Sequence, residues 1–305
     1  CPEYFQEINK VKCKAFIEDI YNGYLREVTY HNDLHGADLV QVISVWLSMS
    51  KISNNLDFKQ LDIFCLLTSA AIHDYKHPGQ NNSFHMNFST DIALTFNDSS
   101  VLENYHISEA FKVLKRSEND FIREFINPEE YKYFRRRMID CVLATDMASH
   151  NSTMSHVQTK MDIKKKAGEG IESIIEDKND TKKLFDTQRE FLNMIIHLAD
   201  LAHNSKTFDI SFKWSLLLYE EFYQQGDYEK YSGKPFSFNC DRTTTNMDKS
   251  QTGFIKYVIG PSYELLIKCI PEAYVYFENV NKNLKEWEKR ETKKEIKEER
   301  SEANS

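Results

Sequence analysis

Apolar residues recur at three- and four-residue spacing in eight separate runs, at 5–25, 39–47, 58–72, 107–114, 131–143, 184–201, 212–223 and 254–270. That period sets each run on one face of an α-helix, and no stretch shows the strict alternation of a half-buried strand. With 9 Gly and 6 Pro in 305 residues, little interrupts these helices. Asn54-Asn55, Asn81-Asn82 and Asp98-Ser99 punctuate the runs, and Pro78-Gly79 closes one abruptly. The expectation is an all-α chain long enough to bury a substantial core.

Two tracts differ. Residues 160–183 are rich in Lys, Asp, Glu and Gly and read as an exposed, partly helical loop. Residues 281–305 mix both charges at i,i+4 spacing and read as a solvated helix fraying into a tail. One domain is therefore expected over 1–290, with a charged tail at 291–305.

Composition excludes some classes. The net charge is −8 and the basic residues form no stripe, so no nucleic-acid partner is expected. No membrane segment and no secretion are expected, because no apolar run approaches the roughly 18 residues a spanning helix needs and no charged-then-apolar stretch of leader type is seen. The six scattered cysteines include no CxxC pair, which suits a reduced, cytoplasmic setting. Since the chain opens on Cys1, it reads as a fragment, with regulatory domains or a membrane attachment expected outside it.

Six of the ten histidines fall within the first 106 residues. In HNDLH, His31 and His35 stand about one helical turn apart, on one face. HDYKHPG repeats the spacing with His73 and His77 and adds Asp74. Any one of these alone reads as an ordinary core or surface histidine, but two HxxxH pairs, one with an HD dipeptide, point to metal. Neither pair is the HExxH of a zinc protease. A carboxylate beside an imidazole can bridge two cations about 3.5–4 Å apart, an arrangement suited to in-line displacement at phosphorus. A further ligand should come from an apolar helix where a carboxylate is costly to bury, and Asp200 in MIIHLADLAHN is placed so.

With HNDLHGADL, AAIHDYKHPG, FNDSSVLENYH, ATDM, HLADLAHNSK, EEFYQQGD and KSQTGFI in this order, the chain resembles the class I 3′,5′-cyclic nucleotide phosphodiesterase catalytic domain. AAIHDYKHPGQNNSFH, SVLENYHIS and PFSFNCDRTTT look most like the calmodulin-stimulated subfamily. The resemblance implies a compact HD-type metallohydrolase of three helical subdomains with a pocket at their junction. It implies cAMP or cGMP as substrate and the 5′-nucleotide as product. It also implies Zn²⁺ on His35, His73, Asp74 and Asp200, with Asp74 bridging to Mg²⁺ or Mn²⁺ held mainly by water. His31 matches the family's proton donor and Glu103 the carboxylate that orients it. His77 and His106 match histidines around the metals, and Asp146 of ATDM is a further partner. Outside the motif, Glu103 and His106 would read as helix-surface groups.

A purine needs an apolar clamp and an amide able to donate and accept. Gln251 and Phe254 match the family's purine glutamine and stacking phenylalanine, and Leu218 the facing aliphatic side. Tyr30 matches a pocket tyrosine. Outside the motif Gln251 would read as a helper of the helix N-terminal cap, and Phe254, Leu218 and Tyr30 as core. His85 is expected to be structural, His150 and His156 solvated, and His197 a neighbour of the metal site.

Three departures stand out. His203 lies where cAMP-selective members carry Asn, which with an amide at Gln251 that can turn either way suggests use of both nucleotides. Gly36 replaces the commoner Ala, and Asn204 stands where Pro often follows. Two rivals are another HD-type hydrolase or di-iron oxygenase, marked by iron dependence, and a catalytically silent cyclic-nucleotide module.

Overall fold

The computed structural model describes residues 8–302, with side chains to position 293. Cys1, the start of the first apolar run and the last tail side chains lie outside the described residues. Among the described residues, fourteen α-helices and several short helical turns build the structure, with no strand. They form two compact units, Cys1–Asp200 and Leu201–Ser305, a coarser division than the three subdomains the resemblance implies.

The first unit holds α1 (Lys10–Gly23), α2 (Asp33–Met49), α3 (Ile52–Asn55), α4 (Gln60–Ile72), α5 (Asn82–Asn87), α6 (Asp91–Phe96), α7 (Val101–Leu114), α8 (Pro128–Leu143), α9 (His150–Lys166) and α10 (Thr181–Asp200). Of the asparagines that punctuate the sequence, Asn81 is a helix cap, while Asn54 and Asn55 lie within α3 and Asn82 opens α5. Asn9, Asn32, Asn81 and Asn127 each accept a backbone N–H of the first turn, and Asn127 forms a reciprocal box with Glu130. Phe16, Cys65, Phe111, Phe121, Phe134 and Met138, from α1, α4, α7, α8 and the loop before α8, form one core. Beside it Arg137 and Asp62, both fully buried, pair at 2.9 Å. Tyr133 and Gln188 add hydrogen bonds to the guanidinium, so its charge is matched on several sides.

Two expectations change here. The polar tract at 160–183 is partly helical as expected, α9 running to Lys166, but it is anchored, with Ile171 and Ile174 buried at 7% exposure each. Two apolar anchors suffice to hold a segment that composition alone marks as loop. His150, expected in solvent, is buried, whereas His156 is exposed as expected.

The second unit holds α11 (Phe208–Tyr231), α12 (Met247–Phe254), α13 (Gly260–Cys269) and α14 (Tyr274–Glu302), with a π-helical turn at Ile255–Ile259 joining α12 to α13. The loop after α11 packs closely on that helix: a Cβ on Gly226 would overlap the Cys240 carbonyl. Buried Glu229 fixes the same loop by accepting from Ser237 N and Oγ. The helix expected from 281 is present and mostly exposed, but it also buries Asn283 and Trp287, at 1% and 0% exposure, and α14 continues through position 290. Charge dominates that tract by number, but two side chains at positions 283 and 287 are enough to bury one face.

Cys13, Cys65, Cys141, Cys240 and Cys269 are thiols, and burial pushes the last three up to about 12. Among the described residues no helix is long and apolar enough to cross a membrane.

Candidate functional site

The HNDLH stretch is not a single helical face. Asn32 caps α2 by accepting from Leu34 N, while its amide donates to Val28 O and Thr29 O. His31 therefore precedes the helix and His35 lies in its first turn. The cap bends the chain so that the rings still meet, with centroids 5.7 Å apart and the buried Tyr30 ring 4.7 Å from each. Gly36 has a local reason: a Cβ there would come within 3.0 Å of Tyr24 Oη, which donates to Ala71 O on α4.

The second pair also departs from its expected helix. α4 ends at Ile72, and His73 to His77 form a turn closed by Tyr75 N to Ile72 O and His77 N to Asp74 O, with Lys76 at φ 61°. Pro78 disfavours helical backbone at His77, so the chain turns instead. His77 Nδ1 accepts from Gly79 N, and its ring stacks on His31 at 4.2 Å.

These turns bring His35, His73 and Asp74 to the end of α10, where Asp200 completes a buried cluster. His35 Nε2 lies 2.9 Å from Asp200 Oδ1 and 3.4 Å from Asp74 Oδ2; His73 Nε2 lies 2.9 Å from Asp74 Oδ2 and 3.3 Å from Asp200 Oδ1. The two imidazole nitrogens are 3.2 Å apart. His73 Nδ1 donates to Ala70 O, which points the Nε2 lone pair into the cluster. Four donors about 2.0–2.1 Å from a central cation would have tetrahedral edges of about 3.3–3.4 Å, close to those observed. Asp74 Oδ2 is buried without a hydrogen-bond donor, as a cation ligand would be. The donor set fits a divalent metal.

Charge agrees with that fit. Burial alone would keep His73 neutral, but the Asp74 and Asp200 carboxylates raise it well above the usual histidine range. Burial raises both carboxyls, yet His73 brings each well below its ordinary range. Asp74, His77 and His106 form a second group with ligand atoms within 4.8 Å, so Asp74 is common to both. His106 Nδ1 donates to Tyr75 O at 2.7 Å, and burial takes this imidazole down to about 4.

Glu103, in the first turn of α7, is pushed up to about 7 by burial and then by the nearby Asp146 charge. Its carboxylate accepts from Asn82 Nδ2 at 3.0 and 3.3 Å, and Asn82 Oδ1 accepts from Leu102 N. Asp146 accepts from Ser100 Oγ at 2.7 Å and caps the turn Met147–Ser149. In the sequence Asn82 reads only as loop punctuation, and Ser100 is not singled out. A polar residue just before a motif-bearing helix was the available signal.

His197 Nδ1 donates to Ala144 O at 2.7 Å, and His150 Nδ1 donates to its Nε2 at 2.9 Å. Burial lowers both, His150 to about 4. His85 Nδ1 pairs with Thr90 Oγ1 in the loop after α5.

In the second unit, Gln251 is buried on α12 and faces the hydroxyl of buried Tyr219, while its Oε1 has no donor. Phe254 follows one turn later, half-buried, and Leu218 on α11 is likewise half-buried. His203 is buried in the turn Ala202–Ser205.

The sequence profile of a family described as 3′5′-cyclic nucleotide phosphodiesterase matches residues 30–280. The mouse dual specificity calcium/calmodulin-dependent 3′,5′-cyclic nucleotide phosphodiesterase 1C is 35% identical over 253 residues, covering 83% of this chain and 33% of that protein. The probable 3′,5′-cyclic-AMP phosphodiesterase pde-4 of Caenorhabditis elegans is 34% identical over 282 residues, covering 92% and 40%. The crystal structure of the phosphodiesterase domain of Salpingoeca rosetta rhodopsin phosphodiesterase superposes with a TM-score of 0.83 at 25% identity, covering 97% and 86%. The chain spans about a third of the length of the first curated relatives it matches.

Proposed function

Because this chain belongs to the 3′,5′-cyclic nucleotide phosphodiesterase family, we propose that it hydrolyses cAMP and cGMP to their 5′-nucleotides, with residues 1–290 as the catalytic domain and 291–305 as a charged tail. The observation that carries the reading is the cluster of His35, His73, Asp74 and Asp200, one ligand atom of each within 4.8 Å of the others. Zn²⁺ on that set, and Mg²⁺ or Mn²⁺ beside Asp74, would lower the pKa of water to near neutrality and offset phosphoryl charge.

This chain's own groups do the rest. His31 gives a proton to the departing 3′-oxygen, a strong base that otherwise leaves poorly. Glu103 orients His31, and Asn82 in turn holds the Glu103 carboxylate in place. His77 and His106 lie beside Asp74, one ligand atom of each within 4.8 Å of the others, and would border the second cation. Asp146, anchored by Ser100, adds negative charge that favours cations nearby. Gln251 reads the purine edge with an amide that can present either donor or acceptor, Phe254 and Leu218 clamp the ring, and Tyr30 and His203 complete the contacts. The two relatives above, one dual-specificity and one cAMP-directed, match about equally well, which suits use of both nucleotides.

The test is turnover of cAMP and cGMP side by side with Mg²⁺ or Mn²⁺, before and after chelation. Formation of both 5′-nucleotides, lost with chelator and restored by metal, is expected. No turnover of either nucleotide after reconstitution would overturn the assignment.

A further inference from the structure

The last turn of α11 and the loop after it carry a concentration of outward aromatic rings. Tyr228, Tyr231, Phe236 and Phe238 are all exposed, Tyr231 at 91% and Phe238 at 87%. Single exposed apolar side chains are ordinary, but four rings within residues 228–238 need a reason.

The segment is firmly held. α11 ends in a Schellman turn, in which Gly233, at φ 67°, donates from its N–H to Lys230 O and Lys234 N donates to Glu229 O. The Glu229 carboxylate, fully buried, accepts from Ser237 N and Oγ and from Gln225 Nε2 at 2.8 Å. With Ser237 drawn inward, its neighbours Phe236 and Phe238 face solvent. The rings are therefore held out in advance of any contact, which lowers the ordering cost of making one.

The same contacts settle the charge. Glu229 is the acid of residues 228–238, and it is turned inside, while Lys230 and Lys234 are exposed. Of the acids that flank the segment, Asp227 is paired by Arg242 at 2.6 Å, and Asp241 accepts from Thr243 N and from the hydroxyls of Thr243 and Thr244. What this tip offers is thus aromatic and basic, on a chain whose net charge is −8. It also protrudes, since a Cβ on Gly233 would touch nothing within 4 Å. A bilayer surface suits that combination: rings settle at the headgroup level, lysines meet anionic phosphates, and the soft interface accepts a convex tip that a rigid protein surface would have to match with pockets.

We propose that residues 228–238 are a membrane-surface contact, in which Tyr231, Phe236 and Phe238 enter the headgroup layer of an anionic bilayer and Lys230 and Lys234 meet its phosphates. Such a contact lies on the bilayer and requires no spanning helix. The negative charge of the chain as a whole opposes docking through its other faces.

The test is sedimentation of the whole chain with vesicles of an equal mixture of phosphatidylcholine and phosphatidylserine, and with phosphatidylcholine alone. The chain should pellet with the mixed vesicles and bind phosphatidylcholine alone more than about tenfold less tightly, since each lysine contributes about fivefold near an anionic surface. Phe238→Ser should weaken binding to the mixed vesicles by about tenfold, the burial of one ring. Lys230→Glu with Lys234→Glu should abolish the preference for phosphatidylserine. These positions are exposed, so thermal midpoints should match the wild type and any loss of binding is local. A wild type that stays in the supernatant would overturn the proposal, as would binding unchanged in Tyr231→Ser with Phe238→Ser. A dimer in sedimentation equilibrium that Phe238→Ser dissolves, without vesicle binding, would overturn it too and assign the tip to a second copy of the chain. Binding is read without nucleotide, so its failure leaves the proposed hydrolysis standing.

Discussion

The Nε2 atoms of His35 and His73 lie 3.2 Å apart, from elements well separated in sequence. Two neutral imidazoles cannot both aim lone pairs at one another and at two carboxylates unless something positive lies among them. In the absence of metal that positive charge is a proton on His73, drawn there by Asp74 and Asp200. With metal it is the cation.

Removing one ligand should therefore release metal rather than merely slow turnover. His73→Ala and Asp200→Ala are expected to weaken metal binding by more than about 100-fold, beyond the loss that outer partners alone cause. Metal content after gel filtration checks this. Full retention in both variants would place the metal elsewhere.

The proton at His73 also gives metal-free protein a distinctive pH response. The folded pKa is raised, so the stabilisation is present below the unfolded value near 6.5 and is lost as pH rises through the folded value. Chelated protein should show a thermal midpoint that falls on the alkaline side of neutrality, while metal-loaded protein should not. Parallel melting curves across that range decide it.

His31 precedes α2 and is not one of the four clustered donors. His31→Ala should lower turnover by about 10²–10⁴-fold, as loss of a general acid does, with metal content unchanged. Loss of metal along with activity would mean that His31 is a ligand.

Glu103 is held up to about 7 in the folded protein, so between its ordinary value near 4.5 and 7 the folded state binds the extra proton. Stability from this group accordingly falls as pH rises through that window. Glu103→Gln keeps an oxygen for Asn82 and removes the buried charge. It should raise stability at pH 8 by on the order of 3 kcal/mol, and by little below pH 4.5, while impairing turnover. Denaturant titrations at the two pH values check the difference.

Much of this was legible in the sequence, and the misses have physical causes. Apolar spacing marks the long helices because burial enforces the period on every turn. His73, Asp74 and Asp200 stand out in the sequence as candidate ligands because a carboxylate in an apolar run needs a reason to be there, and the structure brings them together. The spacing of His31 and His35 misleads on local geometry, since the Asn32 cap and the Pro78 turn decide where each helix begins or ends. His150 is misread because its neighbours in sequence are polar, while its partner, His197, lies 47 positions away. Asn82 and Ser100 act through side chains of residues far along the chain, which no local pattern carries.

The most direct test of the central claim is hydrolysis of cyclic nucleotide by metal-loaded protein in ¹⁸O-enriched water. Attack of water at phosphorus, with His31 protonating the departing 3′-oxygen, predicts one ¹⁸O in the phosphate of the 5′-nucleotide and none in the ribose. Label at the 3′-hydroxyl, or no 5′-nucleotide at all, would contradict it.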